Sequence, residues 1–229
     1  MKTTLVTGAS KGIGKQLCKF LLGKNHRVIT ISRSELDYYH NNLLHIKKDL
    51  TDQSIKGDIQ NILKENNLDN CILNAGAYKN SFFHKASYDD WNNVLNTNIG
   101  SLYNVLSPVI NHMRKSERGN IVFTSSVVGD TGSMGASSYS CAKSSLHGLT
   151  KSLVLENSSK NILINTISPG YINEGMGKEL PLNLKENTIR DIPLKRFGEP
   201  EEINELIYFL IEKNTYITGA NIPINGGLF

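Results

Sequence analysis

Short runs dense in Val, Ile, Leu and Thr occur near 3–7, 27–32, 44–48, 70–73, 120–125, 162–167 and 220–224. Between them lie segments such as Lys15 to Leu22, whose apolar residues Leu17, Cys18, Leu21 and Leu22 recur at the spacing of one helix face. Strands alternating with helices form βαβ units. The pattern therefore predicts an α/β fold, a doubly wound parallel sheet of about seven strands with helices on both faces. Ser87-Tyr88-Asp89-Asp90 has the form of a capping box, with Asp in place of Glu or Gln, and predicts the start of a long helix running to Met113. A second long helix is predicted from about Ser138 to Asn157. The span from Gly175 to Phe197 has the length and mixed polarity of a flexible lid, with breaks at Pro181 and Pro193.

Composition fits this picture. At 229 residues and 39% hydrophobic, the chain can bury a substantial core and is expected to form one domain over 1–229, since no linker, repeat or low-complexity run divides it. Its apolar runs fall short of the roughly 18 residues of a membrane span. The first strand begins at once and leaves no room for a signal peptide, so the cytoplasm is the expected compartment. Cys18, Cys71 and Cys141 lack paired metal or redox spacing, and no metal is expected. Cys141 reads as a small packing residue. A net charge of +4, with no basic stripe interleaved with aromatics, argues against nucleic-acid or membrane-surface binding.

Two stretches carry chemistry. The run Thr3 to Thr7 leads into Gly8-Ala9-Ser10-Lys11-Gly12-Ile13-Gly14 and then into the amphipathic segment. Strand, glycine turn and helix form the layout of a dinucleotide site, where backbone approaches the pyrophosphate and the helix N-terminus holds it. Taken alone, the turn could be merely tight. Farther on, Tyr139 and Lys143 stand four residues apart, with Ser126 thirteen residues before the tyrosine. On a helix that spacing puts a phenol and an ammonium on one face, where the cation is expected to lower the phenol's pKa. Taken alone, such a pair could be a solvated surface contact.

Together these stretches resemble the short-chain dehydrogenase/reductase family, from Thr3 to Phe229. Thr7-Gly8, Gly12 and Gly14 match its cofactor motif. Asp49-Leu50 matches the pair placed against the adenine. Asn74-Ala75-Gly76 matches most of its Asn-Asn-Ala-Gly, with Leu73 replacing the first asparagine. Asn98, Ser126, Tyr139 and Lys143 match its catalytic tetrad. Ser168-Pro169-Gly170 matches the turn beside the nicotinamide, and Ile217-Thr218-Gly219 with Asn225-Gly226-Gly227 matches its C-terminal signature.

The resemblance implies a Rossmann-type fold and a set of roles. Tyr139 would be the acid for a substrate carbonyl, Ser126 would orient the carbonyl oxygen, Lys143 would hold the nicotinamide ribose and bias the tyrosine, and Asn98 would anchor a water that returns protons. The implied cofactor contacts are Gly8, Ser10, Lys11, Gly12, Ile13, Gly14, Ser32, Arg33, Asp49, Leu50, Asn74, Ala75, Gly76, Tyr139, Lys143, Pro169, Gly170 and Ile172. Ser32 stands where an NAD-binding member usually carries Asp or Glu. With Arg33 and Lys11 beside the ribose it points to NADPH/NADP+.

Two departures stand out. Asn173-Glu174 replaces the Thr that anchors the carboxamide, and the stretch from Ser34 to Leu43 is short for the family's second helix. Phe123 to Gly129, Pro193 to Gly198 and the tail are similar to the members that reduce 3-oxoacyl thioesters on acyl carrier protein. A sugar or small-ketone reductase, or a non-catalytic NADP-binding sensor, are the other readings. The resemblance further implies a homodimer or homotetramer through the two long helices. For an acidic carrier it suggests Arg114, Lys115, Arg118 and Lys160 near the active-site mouth.

Overall fold

The computed structural model describes residues 1–178 and 180–228, and of Met176 only the backbone. Seven parallel strands form one sheet: β1 (Thr3–Thr7), β2 (Arg27–Ser32), β3 (Leu43–Lys47), β4 (Asn70–Leu73), β5 (Gly119–Thr124), β6 (Ile162–Pro169) and β7 (Asn221–Ile224). They run in the order β3-β2-β1-β4-β5-β6-β7, so the winding reverses between β1 and β4. The register is continuous, with Leu5 beside Ile29 on one flank and Cys71 on the other. Every residue of β1 and β4 is buried, as expected of strands covered on both faces.

The covering helices follow from apolar spacing. On one face α1 (Gly12–Gly23) and α8 (Pro200–Glu212) bury Leu17, Leu21, Ile203, Ile207 and Leu210 against Val6, Val28 and Val122. Pro200 at the first position and a reciprocal Glu199–Glu202 capping box start α8. On the other face α2 (Ile55–Glu65), α4 (Leu102–Ser116) and α6 (Ser137–Asn157) close over Leu5, Ile29, Ile121 and Phe123. The remaining helices are α3 (Tyr88–Leu95), α5 (Val127–Thr131) and α7 (Leu182–Asp191).

Three expectations change here. The helix predicted to run from the Ser87 cap to Met113 is two helices. Ser87 does cap α3, its hydroxyl accepting the Asp90 N–H at 3.1 Å. A π-helical turn over Asn96–Gly100 then separates α3 from α4. Asn98 lies within this turn, its Nδ2 donating to the Val94 and Ala77 carbonyls, both at 2.8 Å. The span Gly175 to Phe197, expected to be a lid with breaks at Pro181 and Pro193, carries a helix between those prolines. It contains α7, with Pro181 as N-cap and Pro193 two residues after its end; Glu179 and the Met176 side chain within it lie outside the described residues, as does Phe229 of the tail. Finally, β5 and β6 each run from one edge of the sheet to the other, starting at Gly119 and Ile162. Arg118 and Lys160 therefore stand at the amino edge, while Ser126, Tyr139 and Lys143 gather at the carboxyl edge. Arg118 pairs with Asp69 at 3.3 Å and Lys160 with Glu117 at 2.6 Å, while Arg114 donates to the Glu156 carbonyl at 2.8 Å. These residues do not flank this chain's own mouth. Adjacency in sequence to the strands that lead into the site had suggested the wrong edge. The stretch 34–42 carries no helix, in line with its length.

Candidate active site

The glycine turn is held from beneath. Thr7 Oγ1 accepts the N–H groups of Asn74 and Ala75, each at 3.1 Å, and Asn74 Nδ2 donates to the Thr7 and Gly8 carbonyls, each at 3.3 Å. Asn74 and Ala75 thus bind the turn to the end of β4. Gly8 takes φ +75°, and a Cβ there would lie 2.7 Å from Ala75 Cα. A Cβ on Gly14 would run into the Gly8 carbonyl oxygen and lie 2.6 Å from Asn74 Nδ2. Backbone cannot retreat from such contacts, so both positions require glycine. Ser10 and Lys11 lead into α1, which starts at Gly12 with Ile13 and Gly14 in its first turn. The amide N–H groups of that turn have no partner within the helix and carry partial positive charge. The cradle therefore fits a dinucleotide pyrophosphate.

The ribose and adenine side lies at the ends of β2 and β3. Ser32 is buried; its Oγ donates to the Ser34 carbonyl at 2.9 Å and lies 2.9 Å from His45 Nε2. No carboxylate occupies the Ser32 position, and Arg33 and Lys11 are exposed. Asp49 Oδ1 accepts from Thr51 N and Oγ1 at 2.9 and 2.8 Å, and Leu50 is buried with its carbonyl held by Asn104. Tyr38, which the sequence gave no reason to single out, reaches out of the irregular 33–42 stretch and donates to the Ala9 carbonyl at 3.1 Å, bracing the turn.

At the catalytic end, Ser126 follows β5 and caps α5, its hydroxyl oxygen accepting the Val128 N–H at 3.2 Å. That leaves the Ser126 O–H free to donate. Tyr139 and Lys143 face inward from α6. Lys143 is buried, its Nζ donating to the Thr124 carbonyl at 2.8 Å and standing 5.6 Å from the centre of the Tyr139 ring. Burial draws the lysine down to about 8. Tyr139, only 8% exposed, is pushed up to about 12, first by burial, with a Ser126 hydrogen bond pulling it down and Tyr78 pushing it up. Lys143, drawn down to about 8, loses its charge below the range where this phenol ionises, so it does not lower the tyrosine as expected.

Asn98 is buried beside them. Its Oδ1 has no hydrogen-bond partner among the described residues. A Cβ on Gly76 would lie 2.7 Å from that Oδ1 and 3.4 Å from Lys143 Nζ, so Gly76 is what lets these two groups approach. Pro169 ends β6, and a Cβ on Gly170 would lie 2.7 Å from Asn225 Cα. Ile172 is buried and bridges to Gly198. Asn173 and Glu174 are engaged elsewhere: the Asn173 amide donates to Glu199 at 3.3 Å, and Glu174 accepts from Gln16 on α1 at 3.4 Å. Tyr78 was also not anticipated. Its ring meets that of Tyr139 edge-on, with centroids 5.4 Å apart at 85°.

The sheet end thus gathers a glycine cradle, an inward phenol, a buried ammonium and a serine hydroxyl beside the phenol. The short chain dehydrogenase family model matches residues 2–185. The chain is 37% identical to the 3-oxoacyl-[acyl-carrier-protein] reductase FabG of Chlamydia trachomatis, over 99% of this chain and 97% of that protein. It is 35% identical to the FabG of Buchnera aphidicola, over 100% and 97%. Among solved structures, ElxO with NADP bound superposes with a TM-score of 0.92 at 30% identity, covering 99% of this chain and 98% of that one. A short chain dehydrogenase family protein from Francisella tularensis gives 0.90 at 30%, covering 100% and 98%. With sheet order, glycine cradle and sequence in agreement over nearly the whole length, the chain belongs to the short chain dehydrogenase family.

Proposed function

We propose that the protein is an NADPH-dependent reductase that converts a 3-oxoacyl thioester, carried on acyl carrier protein, to the 3-hydroxyacyl product in fatty-acid biosynthesis. The observation that carries this reading is the convergence of Ser126, Tyr139 and Lys143 beside the glycine turn. The names of the FabG relatives, and the NADP held by ElxO, support the substrate and cofactor.

When bound, the nicotinamide supplies the hydride that the carbonyl carbon accepts. Tyr139 gives its phenolic proton to the carbonyl oxygen, completing the alcohol. Ser126 donates its O–H to the same oxygen and fixes its direction. Lys143 holds ribose hydroxyls, and its charge favours the phenolate left after transfer. Asn98 is placed to bind a water that returns the proton to Tyr139 by way of Lys143, a role that fits its unpaired buried Oδ1. Gly8, Gly12, Gly14 and the first turn of α1 would hold the pyrophosphate. Ser10 and Ile13 would flank it, and Arg33 with Lys11 would grip the 2′-phosphate. Asp49 and Leu50 would border the adenine, and Pro169, Gly170 and Ile172 the nicotinamide.

The test is NADPH oxidation with 3-oxoacyl carrier-protein substrate, a short free 3-oxoacyl thioester, sugars and simple ketones in parallel. The expected outcome is turnover with both thioesters and little with the rest. Preferred turnover of a sugar or simple ketone would overturn the substrate assignment.

The proposal extends to assembly and compartment. Tyr103 on α4 and Leu155 on α6 are 67% and 87% exposed, apolar surface of the kind that a symmetry mate covers. A homodimer or homotetramer is expected, so light scattering at micromolar concentration should give two or four times the 25.4 kDa chain mass; a mass of one chain would refute it. No described helix is long and apolar enough to cross a membrane, and a cytoplasmic enzyme fits a carrier-linked substrate.

A further inference from the structure

Tyr78 follows the Asn74-Ala75-Gly76 turn at the end of β4 and lies 45% exposed, its ring meeting that of Tyr139 edge-on with centroids 5.4 Å apart. We propose that Tyr78 is a positioning residue for the reaction: its ring screens the Tyr139 phenol from water and fixes that ring in the orientation needed for proton donation to the substrate. The proposal rests on the reductase reading only in giving Tyr139 the role of acid.

The groups facing the Tyr139 phenol come from three elements. Ser126, from the end of β5, hydrogen-bonds it; Lys143, one turn along α6, lies 5.6 Å from its ring centre. Tyr78 comes from the segment after β4. Tyr171, stacked on Phe197 with ring centres 5.5 Å apart, faces Tyr78 in turn and, with burial, raises it. Burial is the largest of the influences that hold Tyr139 high. Water admitted beside the phenol would stabilise the phenolate and bring it down.

The sign of the effect is therefore fixed. Carbonyl reduction needs Tyr139 protonated, so rate is lost as pH rises through the tyrosine's pKa. Opening the Tyr78 side should move that loss to lower pH. Tyr78→Ala is expected to shift the basic limb of kcat/KM down by about one pH unit, the scale of a partial change in desolvation. Tyr78→Phe keeps the ring and removes only the hydroxyl's own smaller influence, so it is expected to move the limb by less than half as much and to leave kcat within about threefold.

A second readout needs no substrate. Ultraviolet difference titration of each variant against the same variant carrying Tyr139→Phe isolates the ionisation of Tyr139 alone. It should show the same downward shift for Tyr78→Ala and a clearly smaller one for Tyr78→Phe. Tyr78 is half exposed, so alanine should fold; Tyr78→Thr gives the same reading if it does not. A Tyr139 that titrates as in the wild type in the alanine or threonine variant would overturn the proposal, and so would a phenylalanine variant that shifts as far as the alanine one. Loss of 3-oxoacyl turnover in the wild type would instead count against the substrate assignment, while the titration would still decide the role of Tyr78.

Discussion

Replacing Tyr139 by Phe is expected to lower turnover by at least about 10²-fold, since a positioned general acid contributes typically 10²–10⁴. The substitution removes one oxygen and keeps the ring that Tyr78 packs against at 5.4 Å. Packing on α6 should hold, and with it the Lys143 contact to the Thr124 carbonyl. NADPH affinity, followed by fluorescence titration, should therefore change little while kcat falls. An interaction made only in the transition state has this signature. Burial holds Tyr139 near 12, so its acid form persists over the working range. Retention of more than a tenth of wild-type turnover at saturating substrate would remove Tyr139 from the role of acid.

Much of this arrangement could be read before any coordinates were in hand, and the reasons are physical. Strands buried on both faces are rich in β-branched and apolar residues, which is why β1, β2, β4 and β6 stood out as runs dense in Val, Ile, Leu and Thr. A pyrophosphate cradle needs glycine wherever a Cβ would strike backbone, and Gly8 and Gly14 meet that condition in the folded chain. The four residues from Tyr139 to Lys143 amount to one helical turn, so their shared face followed from spacing alone.

Other features depend on tertiary contacts that leave no periodic trace. The π-helical turn at Asn96–Gly100 coincides with Asn98 Nδ2 reaching the Ala77 carbonyl, a partner twenty-one residues away. Tyr38 and Tyr78 lie in segments with no apolar period, and only the fold carries their rings to Ala9 and Tyr139. The orientation of Lys143 is similar: spacing places the ammonium near the phenol, but the end of β5 offers a buried carbonyl that it takes instead. Arg118 and Lys160 show the opposite hazard. A residue just before a strand is near the site in sequence yet a full strand length from it in space.

The cofactor assignment can be tested on two side chains that sequence and structure agree in leaving exposed. Arg33 follows β2 and Lys11 precedes α1, and neither is buried in a competing contact. Ser32 cannot contribute much to discrimination itself, since its hydroxyl is occupied by the Ser34 carbonyl and His45. Its role is permissive, in that it presents no charge to repel a 2′-phosphate. Arg33→Ala combined with Lys11→Ala is expected to weaken NADPH far more than NADH. Charge-assisted hydrogen bonds contribute roughly 1.5–3 kcal/mol each, less where water and salt screen them, so the preference for NADPH over NADH should fall by about tenfold to several hundredfold. The loss should be larger at low ionic strength, where exposed charges act over a longer range. Dissociation constants for both cofactors at two salt concentrations measure this directly. Equal weakening of NADPH and NADH would mean that the two cations act on the shared pyrophosphate or on the fold, and the 2′-phosphate assignment would fall.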